Sequence, residues 1–317
     1  MPYTSLILAA VIAAAVVLIT GPFLIPKLHQ LKFGQSIREE GPKSHQAKSG
    51  TPTMGGMMII LGLVVGALAA GQWSVELGLA LFIVLGHFVI GFVDDYIKVV
   101  RKHNLGLKAK QKLLGQIIMA AMVAYFGNLP TDLWVPFVGN VELGSFFYVL
   151  LFFVLVGTTN AVNLTDGLDG LAAGTVSVAS LCFMVVCLIL GNYNLAIFCA
   201  ATVGACLAFL KFNYNPAKIF MGDTGSLALG GAIASMGILT HTELLLVVIG
   251  FIFVMEAMSV IIQVISFKTT GKRVFLMSPI HHHFELKGWK ETKVVHTFWC
   301  WGLLAGILGI LLLTSGQ

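Results

Sequence analysis

The sequence predicts an all-α integral membrane protein with about ten transmembrane helices, and three observations carry that expectation. Hydrophobic residues fill 57% of the 317 positions and charged residues only 10%, against about 25% charged in soluble domains. Apolar runs near the ~20 residues that a helix needs to cross a bilayer recur along the whole chain, at roughly 3–25, 54–72, 76–97, 112–127, 144–160, 171–190, 195–211, 226–240, 243–266 and 296–314. Charge is one-sided. If the N-terminus lies outside and the spans alternate, all 19 lysines and arginines fall in the inner loops 26–53, 98–111, 161–170, 212–225 and 267–295 or at their helix ends. The outer side then receives only the acids Glu76, Asp132, Glu142 and Glu243. This bias puts both termini outside, and it sets the net charge of +5 against anionic lipid headgroups rather than nucleic acid. Residues 1–317 read as a single polytopic domain.

The first run has no basic segment before it and is followed by Lys27 and Lys32, so it reads as a retained helix rather than a cleaved leader. After it, a long basic loop ends in Lys48-Ser49-Gly50-Thr51-Pro52-Thr53-Met54-Gly55-Gly56. Small residues at a helix mouth allow close approach to a phosphate, and Lys48 adds a point charge; a solvated loop touching lipid is the plainer alternative. The third helix ends in Asp94-Asp95-Tyr96-Ile97-Lys98. Two acids there oppose the macrodipole, and an Asp94–Lys98 surface pair leaves Asp95 unexplained. Adjacent carboxylates suit Mg2+. Residues 133–143 read as a small external β-hairpin around a Gly139-Asn140 turn, with Pro136 on an edge strand and Trp134 and Phe137 at the headgroups.

The most concentrated polar stretch is Asn160-Ala161-Val162-Asn163-Leu164-Thr165-Asp166-Gly167-Leu168-Asp169-Gly170, an island between two apolar runs with no basic residue. Its carboxylates and carboxamides can converge on a cation, a sugar or a cation-bound phosphate; Asp169 as a helix cap explains only one of them. The loop 211–226 carries Asn213 and Phe220-Met221-Gly222-Asp223-Thr224-Gly225-Ser226, with Asp223 just before a helix start as a cap or a ligand. Its position on the same face as Asp94, Asp95, Asp166 and Asp169 makes one acidic centre the expectation. Glu256 lies about ten residues from the inner end of the ninth helix, ~15 Å deep, and an intramembrane carboxylate points to function unless it is hydrogen-bonded between helices. Gln263 shares its face nearer the inner surface. In the last inner loop, Ser278-Pro279-Ile280-His281-His282-His283-Phe284-Glu285 followed by Gly288 predicts a short interfacial helix. Three consecutive histidines diverge on a helix, which favours phosphate contact or proton transfer over a zinc tripod. The five cysteines all sit in predicted spans without a Cys-x-x-Cys and read as packing residues.

These motifs together resemble the phospho-N-acetylmuramoyl-pentapeptide transferases, within the polyprenyl-phosphate N-acetylhexosamine-1-phosphate transferase superfamily. The resemblance covers essentially the full length and rests on Thr51–Gly56, Phe92–Tyr96, Asn160–Gly170, Phe220–Ser226 and Met277–Glu285. The acidic motifs mark the superfamily; the unbroken Pro-Ile-His-His-His-Phe-Glu marks the muramoyl-pentapeptide branch. The resemblance implies ten transmembrane helices in a bacterial inner membrane, an active site on the cytoplasmic face, and Mg2+ as cofactor. The implied reaction moves phospho-MurNAc-pentapeptide from UDP-MurNAc-pentapeptide to undecaprenyl phosphate, giving lipid I and UMP for peptidoglycan synthesis. It allows a homodimer. Carried over by motif, Asp94, Asp95 and Asp223 become the catalytic acids and metal ligands, with His281, His282 and His283 also catalytic. Phe220 becomes a stacking partner for uracil, and Lys48, Thr53, Lys98, Asn160, Asn163, Asp166, Asp169, Asn213 and Gln263 become substrate contacts. Two chemistries remain open at this point: direct attack by the lipid phosphate, with Asp94 deprotonating or orienting it, and a covalent aspartyl-phosphate on Asp94 or Asp95. The rival readings are an N-acetylglucosamine-1-phosphate transferase and, from another class, a cation-coupled transporter; the latter expects acids spread through the membrane depth, where only Glu256 lies.

Overall fold

A computed structural model describes residues 2–30, 48, 50–101 and 106–316. Much of the first basic loop, including Lys32 and Ser49, lies outside the described residues. Among the described residues, twelve helices follow in order: α1 (Pro2–Gln30), α2 (Gly56–Ala70), α3 (Val75–Arg101), α4 (Ala109–Phe126), α5 (Phe146–Thr165), α6 (Leu171–Ile189), α7 (Tyr193–Asn213), α8 (Gly222–Leu239), α9 (Glu243–Ile249), α10 (Phe251–Thr270), α11 (Ile280–Leu286) and α12 (Glu291–Ser315). Between α4 and α5 lies the hairpin β1 (Asp132–Val135) and β2 (Gly139–Glu142).

Among the described residues, seven helices are long and apolar enough to cross a membrane: α1, α3, α5, α6, α7, α10 and α12. The shorter α2 and the helices α4 and α8 run in the same bundle, which is compatible with the expected ten. Two boundaries differ from the sequence reading. The ninth apolar run is broken at Gly250 into α9 and α10, a break hidden in sequence because apolarity continues across it. The hairpin turns at Pro136–Val138 rather than at Gly139-Asn140, with Trp134 opposite Asn140 and Val135 opposite Gly139. Proline's fixed φ and missing N–H suit a turn better than a ladder, and Phe137 supplies a positive φ of 64°. Trp134 packs partly against the core, whereas Phe137 is exposed.

The organising rod is α8. Every residue from Thr224 to Leu239 is buried, as expected of a helix apolar on all sides. Its small residues let neighbouring backbones close in: α3, α5 and α2 all pack on it. At Gly91 of α3, an added Cβ would lie 2.0 Å from the carbonyl oxygen of Asp223. This contact sets how close the acid pair one turn further along α3 comes to the start of α8.

Candidate active site

Asp94 and Asp95, adjacent on α3, point about 100° apart around the helix, and the surroundings use both directions. Asp95 turns toward the start of α8, where its Oδ2 accepts hydrogen bonds from the Thr224 backbone N–H (2.8 Å) and hydroxyl (2.7 Å). Asp94 turns toward the segment leading into α4, and its Oδ1 accepts from Leu107 N–H at 2.8 Å. Both are buried. The helix continues to Arg101, so the two acids lie inside α3 rather than at its end.

Asp223 completes the cluster from the first turn of α8. The residue before the helix is Met221, so Asp223 is one step inside and does not cap it; its charge still favours the positive end of the helix dipole. The positive φ of Gly222 (+71°) makes this entry, and Thr53 and Asp95 crowd the space that a side chain there would fill. Asn163 of α5 donates to Asp223 Oδ1 (3.0 Å) and to Ser226 Oγ (2.8 Å). One oxygen from each of Asp94, Asp95 and Asp223 lies within 4.8 Å of the others, an all-carboxylate set that suits a hard divalent cation.

Two lysines sit on these acids. Lys98 reaches Asp94 Oδ2 at 2.6 Å, Asp223 Oδ2 at 3.2 Å and Asp95 Oδ1 at 3.7 Å. Lys112 of α4 reaches Asp94 Oδ1 at 3.1 Å and also contacts Asp223 Oδ2. The Asp94–Lys98 pair is therefore part of a five-membered ionic network and not an isolated surface pair.

A second polar cluster adjoins the first. Asp169 does not cap α6; its Oδ2 accepts from Ala217 N–H (3.0 Å) and Asn215 Nδ2 (3.2 Å), and its Oδ1 from Lys48 Nζ (2.7 Å). Glu291, the first residue of α12, accepts from Lys48 at 2.6 Å, from Asn215 at 2.9 Å and from Asp169 N–H at 2.8 Å. Asp166 links the two groups: burial, then the negative charges of Asp223, Asp95 and Asp169, push its carboxyl up to about 8. Asp166 follows the last turn of α5, the end of the helix dipole that disfavours an acid.

Several predicted contact residues hold backbone. Asn213 accepts from Gly170 N–H (3.0 Å) and donates to Ile219 C=O (2.9 Å), pinning the 166–170 loop to the segment that presents Phe220. Gln263 accepts from Val274 and Phe275 N–H (3.0 Å each) and donates to Phe275 C=O (2.9 Å). Gly55 and Gly56 N–H donate to the carbonyls of Phe220 and Met221, and Phe220 N–H to Pro52 C=O, so the amides at the mouth of α2 join it to α8 rather than cradle an anion. Thr53 is buried beside Gly222. Asn160, a turn away from Asn163 along α5, donates to Gln116 Oε1 at 3.0 Å.

The histidines diverge as a helix requires. His281 is buried and meets Glu256, His282 Nδ1 contacts Glu285 at 2.8 Å, and His283 Nδ1 accepts from Leu276 N–H at 3.1 Å. The helix carrying them begins at Ile280, after Pro279, and Gly288 follows it with φ +89°.

Sequence reasoning missed Lys112, Asn215, Thr224 and Glu291. Lys112 and Glu291 had a weak signal, being a cation and an acid at helix mouths that open onto the acidic face.

Residues 77–241, which span α3 to α8, match the Glycosyl transferase family 4 model. The chain is 58% identical over 297 residues to the phospho-N-acetylmuramoyl-pentapeptide-transferase of Bacillus subtilis (strain 168), covering 91% of this chain and 92% of that one. It is 57% identical over 314 residues to the enzyme of the same name from Geobacillus sp. (strain WCH70), covering 96% and 97%. With that from Desulfitobacterium hafniense (strain DSM 10664 / DCB-2) it shares 52% identity over 328 residues, covering 98% of each. With identities of 52–58% over 91–98% of its length, the chain belongs to the phospho-N-acetylmuramoyl-pentapeptide-transferase family.

Proposed function

We propose that the chain transfers phospho-MurNAc-pentapeptide from UDP-MurNAc-pentapeptide to undecaprenyl phosphate at the cytoplasmic face of a bacterial inner membrane, giving lipid I and UMP. The observation that carries this reading is the convergence of three carboxylates and two lysines at one end of an apolar bundle. A soluble donor and a membrane-anchored acceptor meet only at such a surface. A transporter would distribute its acids through the membrane depth; here Asp94, Asp95, Asp166 and Asp223 gather where the last third of α3 meets the end of α5 and the start of α8, with Glu256 set apart from them in α10.

Asp94, Asp95 and Asp223 would hold Mg2+, which when bound supplies charge neutralisation to the donor diphosphate and the departing UMP. Lys98 and Lys112, which both contact Asp223 Oδ2 and take opposite oxygens of Asp94, are in position to exchange them for phosphate oxygens. The acceptor is a phosphate monoester with a second pKa near 6, already an oxyanion at neutral pH. Asp94 therefore acts by orienting it, and no proton need be removed. Attack falls on the β-phosphorus, and the bond to the UMP oxygen breaks. This direct route is favoured over an aspartyl-phosphate by the engagement of the nucleophile candidates: Asp94 faces two ammonium groups, and Asp95 is fixed by Thr224. Phe220 and the Lys48–Asp169 cluster would receive the uridine.

Purified protein incubated with UDP-MurNAc-pentapeptide, undecaprenyl phosphate and Mg2+ is expected to release UMP, and UDP-GlcNAc in excess should not compete. Absence of UMP from folded protein would sink the reading; efficient turnover of UDP-GlcNAc would move the chain to the sister branch. The histidine variants are expected to differ. His281→Ala should lose most, roughly 10- to 150-fold if it removes one charge-assisted hydrogen bond of ~1.5–3 kcal/mol from the transition state. His283→Ala, whose ring mainly holds Leu276, should lose least, and all three should keep their Mg2+ dependence. Equal loss of Mg2+ binding in all three would make the triplet a metal site.

A further inference from the structure

We propose that Glu256 is a positioning residue for this reaction and acts through His281; the proposal rests on the transferase reading above. Glu256 of α10 and His281 of α11 are both fully buried, and Glu256 Oε1 lies 2.9 Å from His281 Nδ1. A carboxylate at that distance fixes the proton on Nδ1 and leaves Nε2 as the working nitrogen. The ring is pressed edge-on against the polar loop: a Cβ added at Gly167 would lie 2.2 Å from His281 Nε2 and 2.6 Å from Cε1. Gly167 sits between Asp166 and Asp169, so the free nitrogen is delivered to the loop that joins the two polar clusters.

The partner pattern argues against a simple structural tie. A carboxylate buried inside an apolar helix is costly, and a pair kept for stability is expected to satisfy its remaining atoms with further hydrogen bonds. Glu256 Oε2 and His281 Nε2 have no hydrogen-bond partner. Packing alone would be served as well by an apolar side chain of similar volume. What a carboxylate adds is the choice of tautomer and ring orientation, and the loop residue beneath the ring is a glycine that leaves room for it.

The test is a double-mutant cycle on the full-length protein in detergent, following UMP release. Glu256→Ala is expected to lower kcat by about 10- to 100-fold, the loss typical when the partner orienting a functional histidine is removed, with the KM for the donor little changed. Glu256→Gln, which retains an acceptor for Nδ1–H, should recover much of that rate. In a His281→Ala background, either substitution should change kcat by less than roughly twofold, because the residue through which Glu256 acts is gone. The near-isosteric Glu256→Gln carries the cycle if the alanine variant does not fold. Equal losses with and without His281, or wild-type kcat in Glu256→Ala, would overturn the proposal while leaving an active wild type intact. A wild type that releases no UMP would instead remove the transferase reading.

Discussion

Replacing Asp223 by Asn is expected to abolish most Mg2+-dependent turnover while leaving the protein folded. Asp223 is the carboxylate on which the site converges: Lys98 lies 3.2 Å from it, Lys112 contacts it, and Asn163 donates to it at 3.0 Å. Asn preserves volume and can still accept from Asn163, so the first turn of α8 has no reason to unfold. It removes the charge that a cation at the cluster needs and leaves two ammonium groups facing a neutral side chain. Removal of one preorganised electrostatic group from a reacting centre costs roughly 10²- to 10³-fold in rate, and if Asp223 holds the cation as proposed, its loss should fall at or beyond the upper end. UMP release measured across an Mg2+ titration, beside a thermal melt, reads both halves of the expectation. Wild-type turnover at saturating Mg2+ would take Asp223 out of the centre.

Much of this centre was legible in sequence because membrane chains make polar residues conspicuous. Acids at the mouths of apolar helices stand out against a background that excludes them, so Asp94, Asp95, Asp166, Asp169 and Asp223 could be gathered onto one face from span order alone. Cations carry less information. Lys112 looks like any lysine retained on the basic side, and only the fold brings its ammonium group onto Asp94 and Asp223. Glu291 is hidden for a related reason, lying between Lys290 and Lys293 in a charged loop, where a solvated acid is the ordinary reading. Asn213 and Gln263 illustrate a different limit. Their polarity marks them as functional candidates, but a carboxamide serves a loop backbone as well as a ligand, and sequence does not say which. The Glu256–His281 pair needed the path of the 271–279 segment, which folds α11 back under α10.

Gly91→Ala is expected to cripple the enzyme without touching any charged group. The alanine methyl would lie 2.0 Å from the carbonyl oxygen and 2.5 Å from the carbonyl carbon of Asp223, well inside the ~3.5 Å at which nonbonded carbon atoms pack. Both contacts are backbone, so no side chain can swing aside, and the start of α8 must move away from α3. That motion separates Asp223 from Asp94 and Asp95, which α3 carries one turn beyond Gly91. A misplacement of ~1 Å in a catalytic arrangement can cost about 10²-fold in rate, and the bond from Thr224 to Asp95 stretches with it. Gly157 on α5 is the matched control, since a Cβ there meets nothing within 4 Å. Gly157→Ala should keep wild-type turnover and gain up to about 1 kcal/mol in stability. Assayed together for UMP release and melting temperature, the two variants should diverge sharply in rate; equal, undiminished rates would show that the α3–α8 contact does not set the spacing of the acids.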